Sequence, residues 1–204
     1  MIAIISGKIV HAWQVNPNTW LFKLKQYFNS FGAAPVTWEI FGGNAFLLKV
    51  RNPAEALWIA FCIKAIFRQI PLLDISLSVT IGTEDTEGKT LRTSTGNIYS
   101  QTHWETEDPI PKQALFTLSS PSEPFDRQLN LLLEFALINM NSWSMAEAEM
   151  AELCIVFPEK NQQEIADWLQ IKQSAVSQRK KRAHFDLIQK LNEYYKQLFH
   201  QTFD

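Results

Sequence analysis

The side chains best suited to binding another molecule lie between residues 161 and 183, where four uncharged polar residues, Gln or Ser, precede four consecutive cations. Gln and Ser side chains can hydrogen-bond to base edges in the DNA major groove, and Gln can bond to adenine through two contacts. Lys and Arg side chains neutralise the phosphates of the DNA backbone. The pattern predicts a surface for double-stranded DNA that consists of eight residues: Gln173, Ser174, Ser177, Gln178, Arg179, Lys180, Lys181 and Arg182.

Two short helices joined by a turn would position these side chains. Asn161 stands where an N-cap belongs, and Glu164 three residues later completes a capping box. Residues 170–173 form the turn, and the small Ala166 lets the second helix pack closely against the first. Val176 then points inward while the polar residues face outward. This is the layout of a helix-turn-helix, whose second helix enters the DNA major groove.

Two features depart from the usual helix-turn-helix pattern. Gln170 stands where Gly is common, and a left-handed backbone there costs on the order of 1 kcal/mol. The second helix begins at Lys172 or Gln173 without a good N-cap residue. An ordinary helical hairpin inside a core is the structural alternative, but four adjacent cations do not suit a buried helix. DNA binding is therefore the favoured interpretation.

The composition is that of a soluble globular protein, and a cytoplasmic location is the default expectation. With 204 residues, 46% of them hydrophobic and 20% charged, the chain is long enough for one large domain or two small ones. The apolar N-terminus is too short for a transmembrane span and lacks the basic start of a signal peptide. Cys62 and Cys154 form neither a disulfide framework nor a metal-ligand cluster. We therefore expect no metal, no cofactor and no membrane partner.

Charge is distributed unevenly along the chain. Residues 160–204 carry eight Lys and Arg against five Asp and Glu, a formal charge of +3. Residues 1–159 carry eleven against sixteen, a formal charge of −5. A basic C-terminal part on an acidic body is typical of a small DNA-binding module that is joined to another domain.

Hydrophobic periodicity predicts an α+β fold whose N-terminal part follows a β-α-β-β-α-β order, the ferredoxin-like split βαβ pattern. Gly42, Gly43 and Asn44 mark a hairpin, and Asn44 is expected to adopt positive φ there. The pattern predicts strands at residues 2–10, 36–41, 45–50, 73–81 and near 114–118, and helices from Asn18, from Asn52 and over about 95–104. These elements make up a predicted domain of residues 1–120.

Chain-breaking residues at 119–123 end this domain, and a helical DNA-binding domain is predicted over residues 124–204. One helix spans about 125–140, and Ser144 with Glu147 caps the next. The second helix of the helix-turn-helix then continues without a break. Its apolar stripe consists of Leu187, Leu191, Tyr195 and Leu198. These four residues either pack in the core of the same chain or form the seam of a homodimer. We expect a homodimer, because two recognition helices about 34–36 Å apart reach successive major grooves of DNA.

Three stretches resemble the SatD-like family of bacterial proteins, which are predicted regulators. ISGKIV at residues 5–10 resembles the I-[ST]-G-D-I opening strand of that family. WEIFGGN and AFLL, within residues 38–48, resemble its W-E-x-[YF]-x-G-D hairpin. The helix-turn-helix and the segment after it resemble the C-terminal region of the family. The N-terminal part of these proteins is in turn similar to the palm-like fold of class III nucleotidyl cyclases.

The similarity to cyclases implies a site for two metal ions, held by one Asp on the first strand and another in the hairpin. Paired carboxylates bind Mg²⁺, which offsets the charge on nucleotide phosphates. Here the matching residues are Lys8 and Asn44, a cation and a neutral amide. The positions that match the cyclase Asn and Arg are Ser100 and Trp104. The resemblance therefore implies a degenerate cyclase-like site with no catalytic residues and no metal.

Alternatives exist both for Lys8 and for the chain as a whole. Lys8 is either a snorkelling residue at a strand end or, with Arg51, part of an anion-binding site. For the whole chain the favoured hypothesis is a transcriptional regulator without enzymatic activity, whose cyclase-like domain senses an unidentified small-molecule effector or forms the dimer. One alternative is an interaction protein whose helix-turn-helix docks on another protein. The other is a nucleotide-binding enzyme with a rearranged site, against which the missing carboxylates argue.

Overall fold

The protein has an α+β architecture in which a five-stranded mixed sheet is followed by several helices. The computed structural model describes residues 1–102 and 115–204. Within these ranges the strands are β1 (Ile2–Val10), β2 (Trp38–Phe41), β3 (Ala45–Val50), β4 (Asp74–Gly82) and β5 (Phe116–Ser119). The helices are α1 (Asn18–Asn29), α2 (Ala56–Arg68), α3 (Asn97–Gln101), α4 (Glu123–Ser142), α5 (Met145–Val156), α6 (Gln162–Leu169), α7 (Gln173–Arg182) and α8 (Phe185–Phe203).

The sheet has the strand order β2-β3-β1-β4-β5. The central strand β1 pairs antiparallel with β3, where Ala3 lies opposite Val50 and Lys8 lies opposite Ala45, and it pairs antiparallel with β4 on its other edge. β2 is antiparallel to β3, and β5 is parallel to β4. A strand that is paired on both edges and largely buried reads as a nearly continuous apolar run, which is the sequence pattern of β1.

One face of the sheet carries the main hydrophobic core. Successive strand residues point to opposite faces, and Ala3, Ile5 and Ile9 of β1 join α1 and α2 in this core. α2 is buried along nearly its whole length, because it packs against the sheet and also against α5. This double packing explains why α2 is apolar on most of its sides, as its sequence predicts.

A charged residue, Lys64, is fully buried within α2. Its Nζ donates to Asp74 Oδ1 at 2.5 Å and to Asn141 Oδ1 at 2.6 Å, and Arg68 Nη1 lies 3.6 Å from Asp74 Oδ2. Burial lowers the pKa of Lys64, while the Asp74 carboxylate opposes that shift. The network ties α2 to the start of β4 and to the end of α4.

The opposite face of the sheet carries a second, smaller cluster. Ile4 of β1 and Leu47 of β3 pack with Leu91 and Ile98, which follow β4 in the chain. The segment between β4 and α3 therefore folds back over the sheet.

α5 connects the sheet to the C-terminal helices. Ala148 and Ala151 belong to the main core, whereas Met150 clusters with residues of α6 and α7. A helix that packs on two sides needs apolar residues nearly all round. The main core consequently continues across residues 119–123, where the sequence predicts a domain boundary.

Most predicted strands and helices are present, with small differences in where they begin and end. The predicted bounds of β1 and β3 agree with the structure. The N-cap position of α1 is held by Pro17, and Asn18 is the first residue of the helix. Positive φ in the hairpin falls on Gly42 (59°) and Gly43 (76°), so the prediction of positive φ at Asn44 is wrong. Glycine accepts these angles without steric cost, and Asn44 instead joins the backbone leading into β3.

The prediction of one continuous helix through the C-terminal segment is also wrong. α7 ends at Arg182, and His184 adopts a left-handed conformation, with φ 48°, before α8 begins. The predicted apolar stripe is split as a result. Tyr195 is buried in the core of its own chain and donates to Pro53 O at 2.6 Å, whereas Leu187 is exposed.

Candidate nucleic-acid interface

α6 begins at the capping box that the sequence predicts. The Asn161 side chain accepts from the backbone N–H groups of Gln163 at 2.9 Å and Glu164 at 3.0 Å. The Glu164 carboxylate accepts from the Asn161 N–H at 2.8 Å. These bonds satisfy donors that the start of a helix otherwise leaves without partners. At the other end of α6, Gln170 adopts the expected left-handed conformation, with φ 53° and ψ 42°.

α5, α6 and α7 pack as a three-helix unit around a small core of their own. Met150, Ile165, Ala166 and Val176 are buried together in one cluster. The small side chain of Ala166 allows the close approach of α6 and α7. Across the turn, the Ile171 N–H donates to Ala166 O at 3.0 Å. Two helices and a short turn are therefore present in the predicted place, and α5 attaches them to the rest of the molecule.

α7 exposes its polar residues to solvent. The exposed polar residues of its first two turns are Gln173, Ser174, Ser177 and Gln178. Val176 lies on the other side of the helix and packs against α5 and α6. Gln173 Nε2 donates to Gln162 Oε1 at 2.7 Å, which holds the Gln173 amide against α6. In helix-turn-helix proteins, side chains from the start of the second helix reach base edges, and the four exposed polar residues have the corresponding place on α7.

The four cations at the end of α7 divide into two pairs. Arg179 Nη1 lies 3.2 Å from Glu149 Oε2 of α5, and Lys180 Nζ lies 3.3 Å from Asp186 Oδ1 of α8. Both side chains are partly buried, so they also brace α7 against its neighbours. The exposed pair is Lys181 and Arg182. The sequence predicts all four as phosphate contacts, and the ion pairs make the exposed pair the better candidates.

α6 carries an exposed aromatic residue, Trp168. Trp168 of α6 meets the Phe157 ring at 4.8 Å between centroids, and Lys160 Nζ lies 5.8 Å from the centroid of the Trp168 ring. Residues 160–182 carry six Lys and Arg against two Asp and Glu, a formal charge of +4. Positive charge concentrated on one module attracts polyanions such as DNA.

Lys8 and Asn44, which the sequence predicts to form a degenerate cyclase-like site, lie at the same end of the sheet. Lys8 is half-buried opposite Ala45, and the Asn44 carbonyl accepts from the Ile9 N–H at 2.7 Å. Arg51 lies at the other end of the same ladder, roughly 20 Å away at about 3.3 Å per residue. The hypothesis that Lys8 and Arg51 hold one anion is therefore wrong.

Ser100, the third residue compared with the cyclases in the sequence analysis, makes a local contact within α3. It is exposed, and its hydroxyl donates to Asn97 O at 2.9 Å. Trp104, the fourth position, lies outside the described residues. Within residues 1–102 and 115–204, no three His, Cys, Asp or Glu side chains come together as a metal-binding group would require. In the same ranges no helix combines the length and apolar character needed to cross a membrane.

A charged cluster that the sequence does not predict lies on the sheet face opposite the main core. Lys49 of β3 is buried, and its Nζ lies 3.2 Å from Glu84 Oε1 and 2.6 Å from Glu87 Oε2. Tyr99 donates to Glu84, and burial raises the pKa of the Tyr99 hydroxyl. The carboxylates are more than thirty residues from Lys49 in the chain, so no local spacing reveals the cluster. Its ion pairs hold the segment after β4 onto the sheet.

No protein-family model, curated protein or solved structure matches this chain. The surface of α7 and the ends of the sheet strands are therefore the features from which a function can be argued. Of these two features, the exposed polar face of α7 is the one that most restricts the possible classes of function.

Proposed function

We propose that this chain is a DNA-binding transcriptional regulator whose α7 enters the major groove of double-stranded DNA. The observation on which the proposal rests is the exposure of α7. Of its ten residues Val176 alone is buried, and it packs the helix against α5 and α6. A hairpin helix inside a core would bury a full apolar stripe. The polar residues of α7 suit base edges, and Lys181 and Arg182 suit phosphates.

The sheet part is proposed to be a catalytically silent, ferredoxin-like domain related to the palm-like fold, as in the SatD-like family. In support, four strands and two helices follow the order β-α-β-β-α-β, and the strands lie antiparallel in the order β2-β3-β1-β4. The resemblance to the cyclases assigns Lys8 and Asn44 to the positions at which two carboxylates hold Mg²⁺. A cation repels the metal and a neutral amide adds no charge, so this end of the sheet is unsuited to nucleotide cyclisation.

Binding of the full chain to a fluorescent duplex of random sequence tests the DNA proposal. We expect the logarithm of the affinity to fall linearly with the logarithm of the salt concentration, because phosphate contacts release counterions. Lys181→Gln with Arg182→Gln should weaken binding to all sequences and lower the salt slope by about two for each bound chain. Lys25→Gln with Lys89→Gln is the matched control, since both residues are exposed cations far from α7 in the sequence.

Two outcomes would overturn the proposal. Absence of salt-dependent binding would favour the alternative in which the helix-turn-helix docks on a protein. Equal losses in the double variant and its control would show that net charge, not the surface of α7, causes binding. The enzyme alternative is tested separately with ATP or GTP and Mg²⁺ or Mn²⁺, where we expect no cyclic nucleotide and no other turnover.

A further inference from the structure

α4 and α8 pack antiparallel and leave an apolar groove open to solvent. Phe125, near the start of α4, contacts Tyr195 and Phe203 of α8. Near the other end of α4, the Asn139 side chain donates to Ala183 O at 2.9 Å, just before α8 begins. The groove between the two helices has a volume of about 740 Å³.

Large apolar side chains beside this groove are exposed. Of the residues that line the groove, Phe135 is 65% and Ile138 71% exposed on α4, and Leu187 is 60% exposed on α8. Leu131, one helical turn before Phe135, is 56% exposed and extends the same apolar face of α4. Single apolar residues on a surface are ordinary, but several together along one groove mark a site that a partner covers. The floor is also apolar, because Ile188 is buried beneath these side chains.

The spacing of these residues indicates what kind of partner fits. Each helix carries apolar residues at alternating steps of four and three, which is the spacing of a coiled-coil seam. On α4 they are the exposed Leu131, Phe135 and Ile138, and on α8 they are the exposed Leu187 and the half-buried Leu191 and Tyr194. A helix with such a face packs into a groove between two other helices. α4 has this face, but it forms one wall of its own groove and therefore cannot fill it.

We propose that a second copy of this chain fills the groove, so that two α4–α8 pairs form a four-helix bundle about a twofold axis. The charges at its margin are self-complementary. Glu134 on α4 and Lys190 on α8 are both exposed, and neither has an ion-pair partner within the described part of the chain. A twofold interface uses the same patch on both copies, so Glu134 of one copy can pair with Lys190 of the other.

The position of the groove links the dimer to α7. His184, which lines the groove, is two residues beyond the end of α7. In the dimer, the twofold axis through the groove therefore also relates the two α7 helices. Each α7 is joined to the dimer interface by only the short connection between α7 and α8. Two half-sites about 34–36 Å apart are the DNA target that such a pair would read. This consequence rests on the proposed function, whereas the dimer rests on the groove alone.

Analytical ultracentrifugation of the full chain tests the dimer. At micromolar concentration and above, we expect a species of twice the chain mass of 23.5 kDa. Phe135→Glu with Ile138→Glu should give a folded monomer with an unchanged circular dichroism spectrum, because both side chains are exposed. Its thermal unfolding should stay cooperative but occur at a lower temperature, since the stabilisation by dimerisation is lost. The matched control is Trp13→Glu with Phe22→Glu, which adds the same charge at side chains that are 70% and 74% exposed elsewhere. It should remain a dimer.

A wild-type monomer at every concentration would overturn the proposal, and so would a dimer that survives Phe135→Glu with Ile138→Glu. Binding to random duplex DNA, measured on the same samples, separates this proposal from the proposed function. A dimer without salt-dependent DNA binding would refute the function and support the interface. A wild-type monomer that shows salt-dependent DNA binding would support the proposed function and refute the dimer interface.

Discussion

Gln173 and Gln178 both lie on the exposed face of α7, but their side chains are held differently. The Gln173 amide is hydrogen-bonded to Gln162 of α6, whereas the side chain of Gln178 has no hydrogen bond within the described residues. An amide without an intramolecular partner can give both of its bonds to one adenine. Gln178 is therefore the stronger candidate for reading sequence, and Gln173 for placing α7 relative to α6.

We expect Gln178→Ala to relax the preference at one base pair more than it weakens binding overall. A good bidentate contact is worth about 1–3 kcal/mol of discrimination between bases. Selection of bound duplexes from a random pool would measure the preference of the wild type and of Ala variants at positions 173, 174, 177 and 178. Gln26→Ala, an exposed change on α1, is the control. Four variants with the wild-type preference would remove these residues from the base-reading surface.

In contrast to the exposed side chains of α7, the charge of Lys64 has no access to water and therefore depends on its carboxylate partner. We expect Asp74→Asn to lower the free energy of unfolding by about 3 kcal/mol, since it leaves a buried cation without a carboxylate. Lys64→Met in the same background should recover part of that loss by removing the stranded charge. Urea unfolding followed by circular dichroism measures both changes, and the exposed Asp85→Asn is the control. Additive losses in the double variant would contradict this account.

At the scale of elements, the turn between α6 and α7 stores backbone strain at Gln170. Its left-handed conformation costs an L residue on the order of 1 kcal/mol, and glycine avoids that cost. We expect Gln170→Gly to raise the free energy of unfolding by up to about 1 kcal/mol and Gln170→Val to lower it.

The control for this prediction places glycine within a regular helix. Gln178→Gly in the exposed middle of α7 should cost about 1 kcal/mol, because glycine is a poor helix former. Chemical denaturation measures all three variants. If both glycine variants changed stability in the same direction, the effect would not come from the conformation of the turn.

At the scale of the whole molecule, α5 makes the sheet and the C-terminal helices depend on each other. It contributes to the main core and to the core of the α5–α7 unit. We therefore expect residues 1–120 and 124–204 to unfold together in a single transition. Coincident denaturation curves from fluorescence and circular dichroism, with equal calorimetric and van't Hoff enthalpies, would show this. Two separated transitions would show that the two predicted domains are independent.

The features that the sequence determined are those whose causes lie within a few neighbouring residues. The bounds of β1 and β3 follow from uninterrupted apolar runs, and two capping boxes follow from pairs three residues apart, Asn161 with Glu164 and Ser144 with Glu147. The alternation of polar and apolar residues also determined which side of α7 is exposed. Such signals need no knowledge of the rest of the fold, because the interacting groups are already close in the chain.

The tertiary structure alone decided which distant residues meet. It pairs Arg179 with Glu149 and Lys180 with Asp186, so two of four adjacent cations have lost part of their exposure. A break at His184 likewise separates α7 from α8, which buries Tyr195 and opens the groove beside α4. Helical periodicity identifies an apolar face but not the surface that covers it, because that depends on how far-apart segments pack. For the same reason the sequence alone could not separate a core stripe from a dimer seam.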